Sequence, residues 1–208
     1  MPELGLFPLR LVLVPGERVP LHIFEPRYRE LIGECLEQDE EFGILLAEES
    51  GVRSVGTRAA VVEVLERLED GRLNIVVEGR ERFRLVELTS GRSFHTGSVE
   101  PLDDEDDAAA PPEAAARALR LLEQVAEAAG VDVELPSGGT PRLSFAIAAR
   151  VELEAADKQA LLELRSERER IDRLAQLLEA AAERARRERE AATRAKTNGH
   201  LPHAPKLP

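Results

Sequence analysis

Near its midpoint the chain stops reading as strands and starts reading as helices, and this one change of period limits the folds open to it. The break is Asp103-Asp104-Glu105-Asp106-Asp107-Ala108-Ala109-Ala110-Pro111-Pro112. Five consecutive acids repel one another, and a pair of prolines cannot continue a strand ladder. The run lacks the alternating oxygen ligands, central glycine and closing glutamate of a calcium loop. It therefore reads as a solvated linker over 103–112, between a β-rich unit at 1–102 and a helical unit at 113–182. Strands first and helices second is an α+β arrangement.

The β half opens on Leu6-Phe7-Pro8-Leu9-Arg10-Leu11-Val12-Leu13-Val14-Pro15-Gly16, then Pro20-Leu21-His22-Ile23-Phe24-Glu25-Pro26-Arg27-Tyr28. Apolar runs flank a Pro-Gly turn, and Glu-Pro opens a helix, with Pro26 at the first helical position where its missing N–H is no loss. Tyr28, Leu31, Ile32, Cys35 and Leu36 form one apolar stripe at helical spacing. Strands are expected at Phe42–Ala47, Ala59–Leu68, Leu73–Gly79, Phe83–Leu88 and Phe94–Pro101, with an Asp70-Gly71 hairpin turn between the second and third. These short, antiparallel-looking strands and one helix predict a small, strongly bent sheet or partly open barrel.

In the helical half, Glu113–Ala129 carries Leu119, Leu122, Val125, Ala126 and Ala129 on one face and stops at Gly130. Thr140-Pro141 reads as a cap and first-turn proline for a helix with Leu143, Ile147 and Val151 in its stripe. Asp157 is expected to cap a short helix through Leu164. Ser166-Glu167-Arg168-Glu169 has capping-box spacing and should start a long final helix. That helix outruns its domain in a charged stretch from Glu183, and Thr197–Pro208 is expected to be disordered.

Composition excludes more than it proposes. A single cysteine, Cys35, permits no internal disulfide and no thiolate zinc site, and it reads as a small buried apolar residue. The four histidines, His22, His95, His200 and His203, show no ligand spacing; the last two could hold a metal only weakly. No cofactor, metal or catalytic residue is expected. Ser144 has no activating base at helical spacing, so it reads as packing or surface. No apolar run reaches the roughly 20 residues of a membrane span, and the start, Met1-Pro2-Glu3-Leu4-Gly5, is not signal-like, which points to the cytoplasm. Net charge is −12, with seven Lys/Arg against four Asp/Glu from Glu179 onward, so the body before it is more acidic still.

Several motifs in order resemble the Lon substrate-binding (N-terminal) domain family over roughly residues 6 to 182. They are Leu6–Arg10, Pro15-Gly16, Pro20–Tyr28, Val55-Gly56-Thr57, Gly79–Arg84, Phe145-Ala146 and Asp157–Glu163. The resemblance implies a PUA-like β subdomain (a bent sheet or pseudobarrel with one helix) followed by a helical bundle ending in a long helix. At the turn, where that family often carries an aromatic before Pro-Gly, this chain has Val14. No Gly-x-x-x-x-Gly-Lys-Ser/Thr phosphate cradle is present, and one cysteine without tryptophan excludes the zinc modules of eukaryotic relatives. By resemblance this is a stand-alone bacterial form without ATPase or protease modules.

The implied activity is non-catalytic binding of unfolded or exposed apolar polypeptide, in a groove between sheet and helices. His22, Phe24, Arg27, Tyr28 and Arg82 are the candidate contacts. Each has a plainer reading: Phe24 and Tyr28 fill the core, Arg27 and Arg82 pair with acids, and His22 is an ordinary sheet residue. RNA binding, which PUA-like folds serve elsewhere, is opposed by the acidic body and by 3% aromatics. A small-molecule site would need Glu63, Glu66, Glu78 and Glu87 to converge in the barrel mouth. A homodimer through the final helix is a further expectation.

Overall fold

The structure is a computed structural model that describes residues 3–105 and 109–198, with side chains as far as Ala191. Strands β1 (Glu3–Leu9), β2 (Arg18–Ile23), β3 (Phe42–Glu48), β4 (Gly51–Arg67), β5 (Leu73–Thr89) and β6 (His95–Pro101) form one sheet. Its order is β2-β5-β4-β3-β1-β6, and pairing of β5 with β6 closes a ring that leaves β2 outside as an edge. The bent sheet or pseudobarrel expected from the sequence is present.

Two details differ from the expectation. β1 and β3 run parallel, with Leu6 opposite Gly43 and Leu9 opposite Leu46. The chain leaves β1, makes β2 and helix α1 (Pro26–Gln38), and only then returns, which is the long crossover a parallel pair requires. The separate strand expected at Phe83–Leu88 is the far half of β5, which like β4 is 17 residues long. Register shifts at Thr57/Ala59, Val61/Glu63 and Val64/Glu66 bend these strands, so that one half of β5 pairs with β2 and the other with β6. At the hairpin only Gly71 adopts the left-handed conformation, with φ 84°. β4 ends at Arg67 and β5 begins at Leu73, so the turn is longer than a two-residue one, and within it the Asp70 carboxylate accepts the Arg72 N–H at 3.1 Å.

Helix α1 buries Tyr28, Leu31, Ile32 and Cys35 against the barrel, as its stripe requires. Tyr28 stacks on Phe7 with ring centroids 4.0 Å apart. Burial, with smaller contributions from Glu40 and Glu34, pushes the Cys35 thiol up to about 11, which keeps it protonated and inert.

The stretch between β1 and β2 is a bridge between two cores. Leu13 packs inside the barrel, while Val12 and Val14 on either side of it join the helical core. It crosses directly over Gly79 of β5: the Gly16 N–H donates to the Gly79 carbonyl at 2.8 Å, and the Gly79 N–H to the Glu17 carbonyl at 2.9 Å. A Cβ on Gly79 would lie 2.2 Å from the Val14 carbonyl oxygen. The buried Thr57 hydroxyl donates to the Leu13 carbonyl at 2.6 Å. Glu17, itself buried, accepts the Val14 N–H at 3.0 Å and pairs with Lys158 of the helical half.

Helices α2 (Pro112–Ala129), α3 (Leu143–Ala148), α4 (Ala155–Glu163) and α5 (Glu167–Asn198) form that half. α2 ends as expected at a left-handed Gly130. α3 is not capped by Thr140-Pro141. The chain turns at Arg142, which has φ 52°, and the cap comes from α5. There Glu167 accepts the Ser144 N–H at 2.8 Å and its hydroxyl at 2.6 Å. Ser144 is thus a buried packing residue. α4 starts at Ala155, so Asp157 sits in its first turn instead of capping it. Ser166 caps α5, its hydroxyl accepting the Glu169 N–H at 3.4 Å. Two of the residues expected to be disordered, Thr197 and Asn198, end α5; from 199 onward, where His200 and His203 also fall, that expectation lies outside the described residues.

The two halves meet at paired arginines. Arg82 of β5 donates to the Leu162 and Leu164 carbonyls at 2.8 and 2.6 Å and to Asp104. Arg170 of α5 donates to Asp104, to Glu167 at 2.9 Å, to the Ser144 hydroxyl at 3.1 Å and to the Leu164 carbonyl at 2.8 Å. Both guanidinium groups lie against Phe145, at 5.4 and 4.6 Å from the ring centroid. The acidic run is therefore not wholly solvated: the Asp104 side chain is only 9% exposed. Burial would raise its carboxyl, but the hydrogen bonds and charge of Arg170, together with those of Arg82, hold it below the ordinary range.

Removing the charge of Asp104 leaves buried Arg82 without a carboxylate partner among the described residues and buried Arg170 with Glu167 alone. Asp104→Asn is expected to cost about 3–5 kcal/mol, read as a lower urea midpoint at unchanged slope. The exposed Glu105→Gln should stay within about 0.5 kcal/mol. Because the folded carboxyl is depressed, its contribution is complete above the unfolded value of about 3.9 and is lost as pH falls through the lower folded value. Acid titration of stability should accordingly be shallower in Asp104→Asn than in the parent. Separately, Gly79→Ala should cost about 1–3 kcal/mol through overpacking against Val14, visible as a lower melting temperature.

Candidate functional site

Four of the five candidate residues gather where β2 runs into α1. His22 is the last outward-facing residue of β2, and its Nδ1 lies 2.7 Å from the Asn74 side-chain oxygen. Asn74 in turn donates to Glu66 at 2.8 Å, so one polar row crosses β2, β5 and β4. Phe24 is not in the core. It is 59% exposed and stacks on His22 with centroids 5.9 Å apart. The strand alternation explains this: Ile23 takes the buried place opposite Leu73, which turns its two neighbours outward.

Across β5 from His22 stands Leu65, 53% exposed, at the register shift between Val64 and Glu66. A bulge residue is excluded from the normal in-out alternation, which is how a leucine comes to face solvent here. Pro20, Leu21, His22, Leu65, Glu66, Asn74 and Ile75 line a depression of about 510 Å³.

Arg27 and Tyr28 form the other flank. Arg27 bonds Glu25 at 2.9 Å, reaches His95 at 3.5 Å and lies over the Tyr28 ring at 4.5 Å. Tyr28 is buried, and burial raises its phenol above the ordinary value despite the opposing charge of Arg27. It supports Arg27 from below and offers no surface of its own. Arg82 lies elsewhere, enclosed in the junction between the halves, and pairs with an acid as its plainer reading held.

The groove anticipated between sheet and helices is also present, at about 710 Å³. Its floor includes Leu11, Val12, Leu153, Leu177 and Ala181, and Arg10, Glu152, Arg184 and Glu188 stand on its rim. None of the five candidates lines it. Sequence reasoning expected such a groove but missed the residues that line it, because its walls come from three separated segments, although the apolar Leu11-Val12 beside a charged Arg10 was a visible signal. Val14, at the position where an aromatic was considered, is fully buried.

The remaining groups offer little chemistry. Glu78 is held by Arg18 and Arg80, each at 2.6 Å. Glu63 and Glu66 face solvent on β4, and Glu87 lies opposite Ser98 at the other end of β5, so the four carboxylates do not converge. Among the described residues no cluster of His, Cys, Asp and Glu could hold a metal ion, and no helix is long and apolar enough to cross a membrane.

Comparison with known proteins gives a consistent picture. Lon protease 2 of Myxococcus xanthus is 29% identical over 178 residues, covering 77% of this chain and 21% of that protein. Lon protease of Parabacteroides distasonis is 32% identical over 108 residues, covering 48% and 13%. The chain thus spans about a fifth or less of these relatives' length. In structure it is similar to the Lon N-terminal domain protein from Xanthomonas campestris, with a TM-score of 0.66, 25% identity, and coverage of 84% of this chain and 97% of that one. The N-terminal domain of Mycobacterium avium complex Lon protease shares the fold, with a TM-score of 0.66, 19% identity and coverage of 86% and 98%. The parts matched are substrate-binding domains and not ATPase or protease modules. With residues 3–180 matching its family model, the chain belongs to the ATP-dependent protease La (LON) substrate-binding domain family.

Proposed function

We propose that this protein is a non-catalytic module that captures unfolded or exposed apolar segments of polypeptide, using the face formed by His22, Phe24 and Leu65. The observation that carries this reading is Phe24, a phenylalanine 59% exposed at the end of an edge strand. An isolated exposed leucine needs no explanation, but an aromatic ring held outward against a second ring, which itself lines a depression shared with an exposed leucine, sets apolar groups close together on one face. Aromatic side chains of this kind supply much of the binding energy at protein interfaces.

The family description, substrate binding in an ATP-dependent protease, supports the same reading. A net charge of −12 disfavours a nucleic-acid backbone as ligand. The groove beside α5 is the weaker candidate, since its floor offers aliphatic side chains and alanines with no aromatic anchor.

Titration with a labelled, reduced and alkylated protein should give saturable binding, and the same protein in its native form should give none. Phe24→Ala is expected to weaken the complex about tenfold or more. Its thermal stability should stay within about 0.5 kcal/mol of the parent, because the ring contributes no core packing. Equal affinity for native and unfolded forms would refute the reading.

A further inference from the structure

β2 carries backbone hydrogen-bonding groups that the barrel does not use. Its one neighbour in the sheet, among the described residues, is β5. The carbonyl of Glu17, one residue before the strand, accepts the Gly79 N–H at 2.9 Å. By the two-residue period of a strand, Val19, Leu21 and Ile23 then turn their N–H and C=O groups toward β5. Arg18, Pro20 and His22 turn theirs outward. Pro20 agrees with this, since a proline is tolerated only where the ladder needs no N–H. The open side thus offers the carbonyls of Arg18, Pro20 and His22 and the N–H groups of Arg18 and His22.

The side chains next to this edge are suited to the same visitor. His22 and Phe24 present stacked rings at its end, and Leu65 stands across the depression. The Glu66 carboxylate leans back over β5 to Asn74, itself bonded to His22, and no cation pairs with Glu66 among the described residues. The edge therefore combines unused backbone groups with exposed aromatic rings at its end.

We propose that an extended polypeptide segment adds to this edge as a further strand beside β2. Its backbone pairs with Arg18, Pro20 and His22, and the apolar side chains on one of its faces cover the His22 and Phe24 rings at the end of the edge. This rests on the reading of the face as a polypeptide-binding surface and specifies its mode as strand addition. Pro20 leaves a single gap in the donor series, so the register with a carbonyl of the segment opposite Pro20 is disfavoured.

The test uses the full chain and a fluorescein-labelled peptide of twelve residues alternating Val and Lys. Two further peptides are N-methylated, one on every Val and one on every Lys, which removes the N–H groups of one side of the strand at a time. The parent peptide should bind, one methylated peptide should lose at least tenfold in affinity, and the other should bind nearly as well as the parent. His22→Pro, which deletes an outward N–H, should bind the parent peptide about tenfold more weakly than His22→Ala, which keeps it. If His22→Pro fails to fold by circular dichroism, the methylated pair decides.

Equal binding of all three peptides, or equal loss in both methylated ones, would overturn strand addition while leaving the polypeptide-binding reading intact. A dimer of the pure chain that the parent peptide cannot dissociate in light scattering, and that His22→Pro abolishes, would assign the edge to a second copy and overturn it as well. Failure of both the parent peptide and the unfolded protein to bind would remove the underlying reading itself.

Discussion

The arrangement of the whole molecule depends on two guanidinium groups sharing one carboxylate. Arg82 and Arg170 come from the barrel and from the last helix, and both reach Asp104 of the connecting segment. Charges so buried are tolerated only when each is paired and its remaining donors are used. The donors are used here: the Leu162 and Leu164 carbonyls, the Ser144 hydroxyl and Glu167 take most of what Asp104 leaves. One Arg82 nitrogen, Nε, lacks a partner, and Phe145 beneath both cations supplies a face for their charge. Such a cluster adds little net stability over an apolar core of the same volume. What it ties together is the barrel, the connecting segment and the last helix, since losing any one partner would leave a buried charge or donor unpaired.

The second constraint is geometric. The bridge from β1 to β2 must pass close enough to β5 for two reciprocal hydrogen bonds with Gly79, an approach that a side chain there would prevent. That passage splits consecutive residues between the cores and delivers Glu17 to Lys158. It also brings the chain into β2 on the outside of the ring. The exposed edge, with Phe24 at its end, follows from the same crossing.

Much of this architecture was legible in the sequence where local chemistry decides. Pro26 at a helix start, the Tyr28–Cys35 stripe and Gly130 as a helix stop depend on neighbours within a turn or two, and the structure shows each. The errors fall where a distant residue intervenes. Thr140-Pro141 has the composition of a cap, but Glu167 reaches α3 from another helix and does that work. Asp104 looked solvated because its two arginines lie 22 and 66 positions away. Phe24 looked like core because it is a large apolar residue in an apolar stretch, while the burial of Ile23 turns it outward. Of the five candidate contacts, the sequence could suggest residue types, but only tertiary placement separates the outward pair His22 and Phe24 from the enclosed Arg82.

The Arg82 cluster also bears on the order in which the chain can mature. A ribosome releases residues from the N-terminus, and every group of the helical half that receives Arg82 arrives late. Asp104 follows it by 22 positions, and the Leu162 and Leu164 carbonyls by 80 and 82. A nascent barrel therefore carries a cation at its base whose site cannot be dehydrated until the last helix begins to emerge. Until then water must occupy the junction, and the barrel's apolar base, including Val12, Val14 and Val55, stays uncovered. Translation of this chain therefore passes through a stage in which the barrel is formed while its apolar base still faces water.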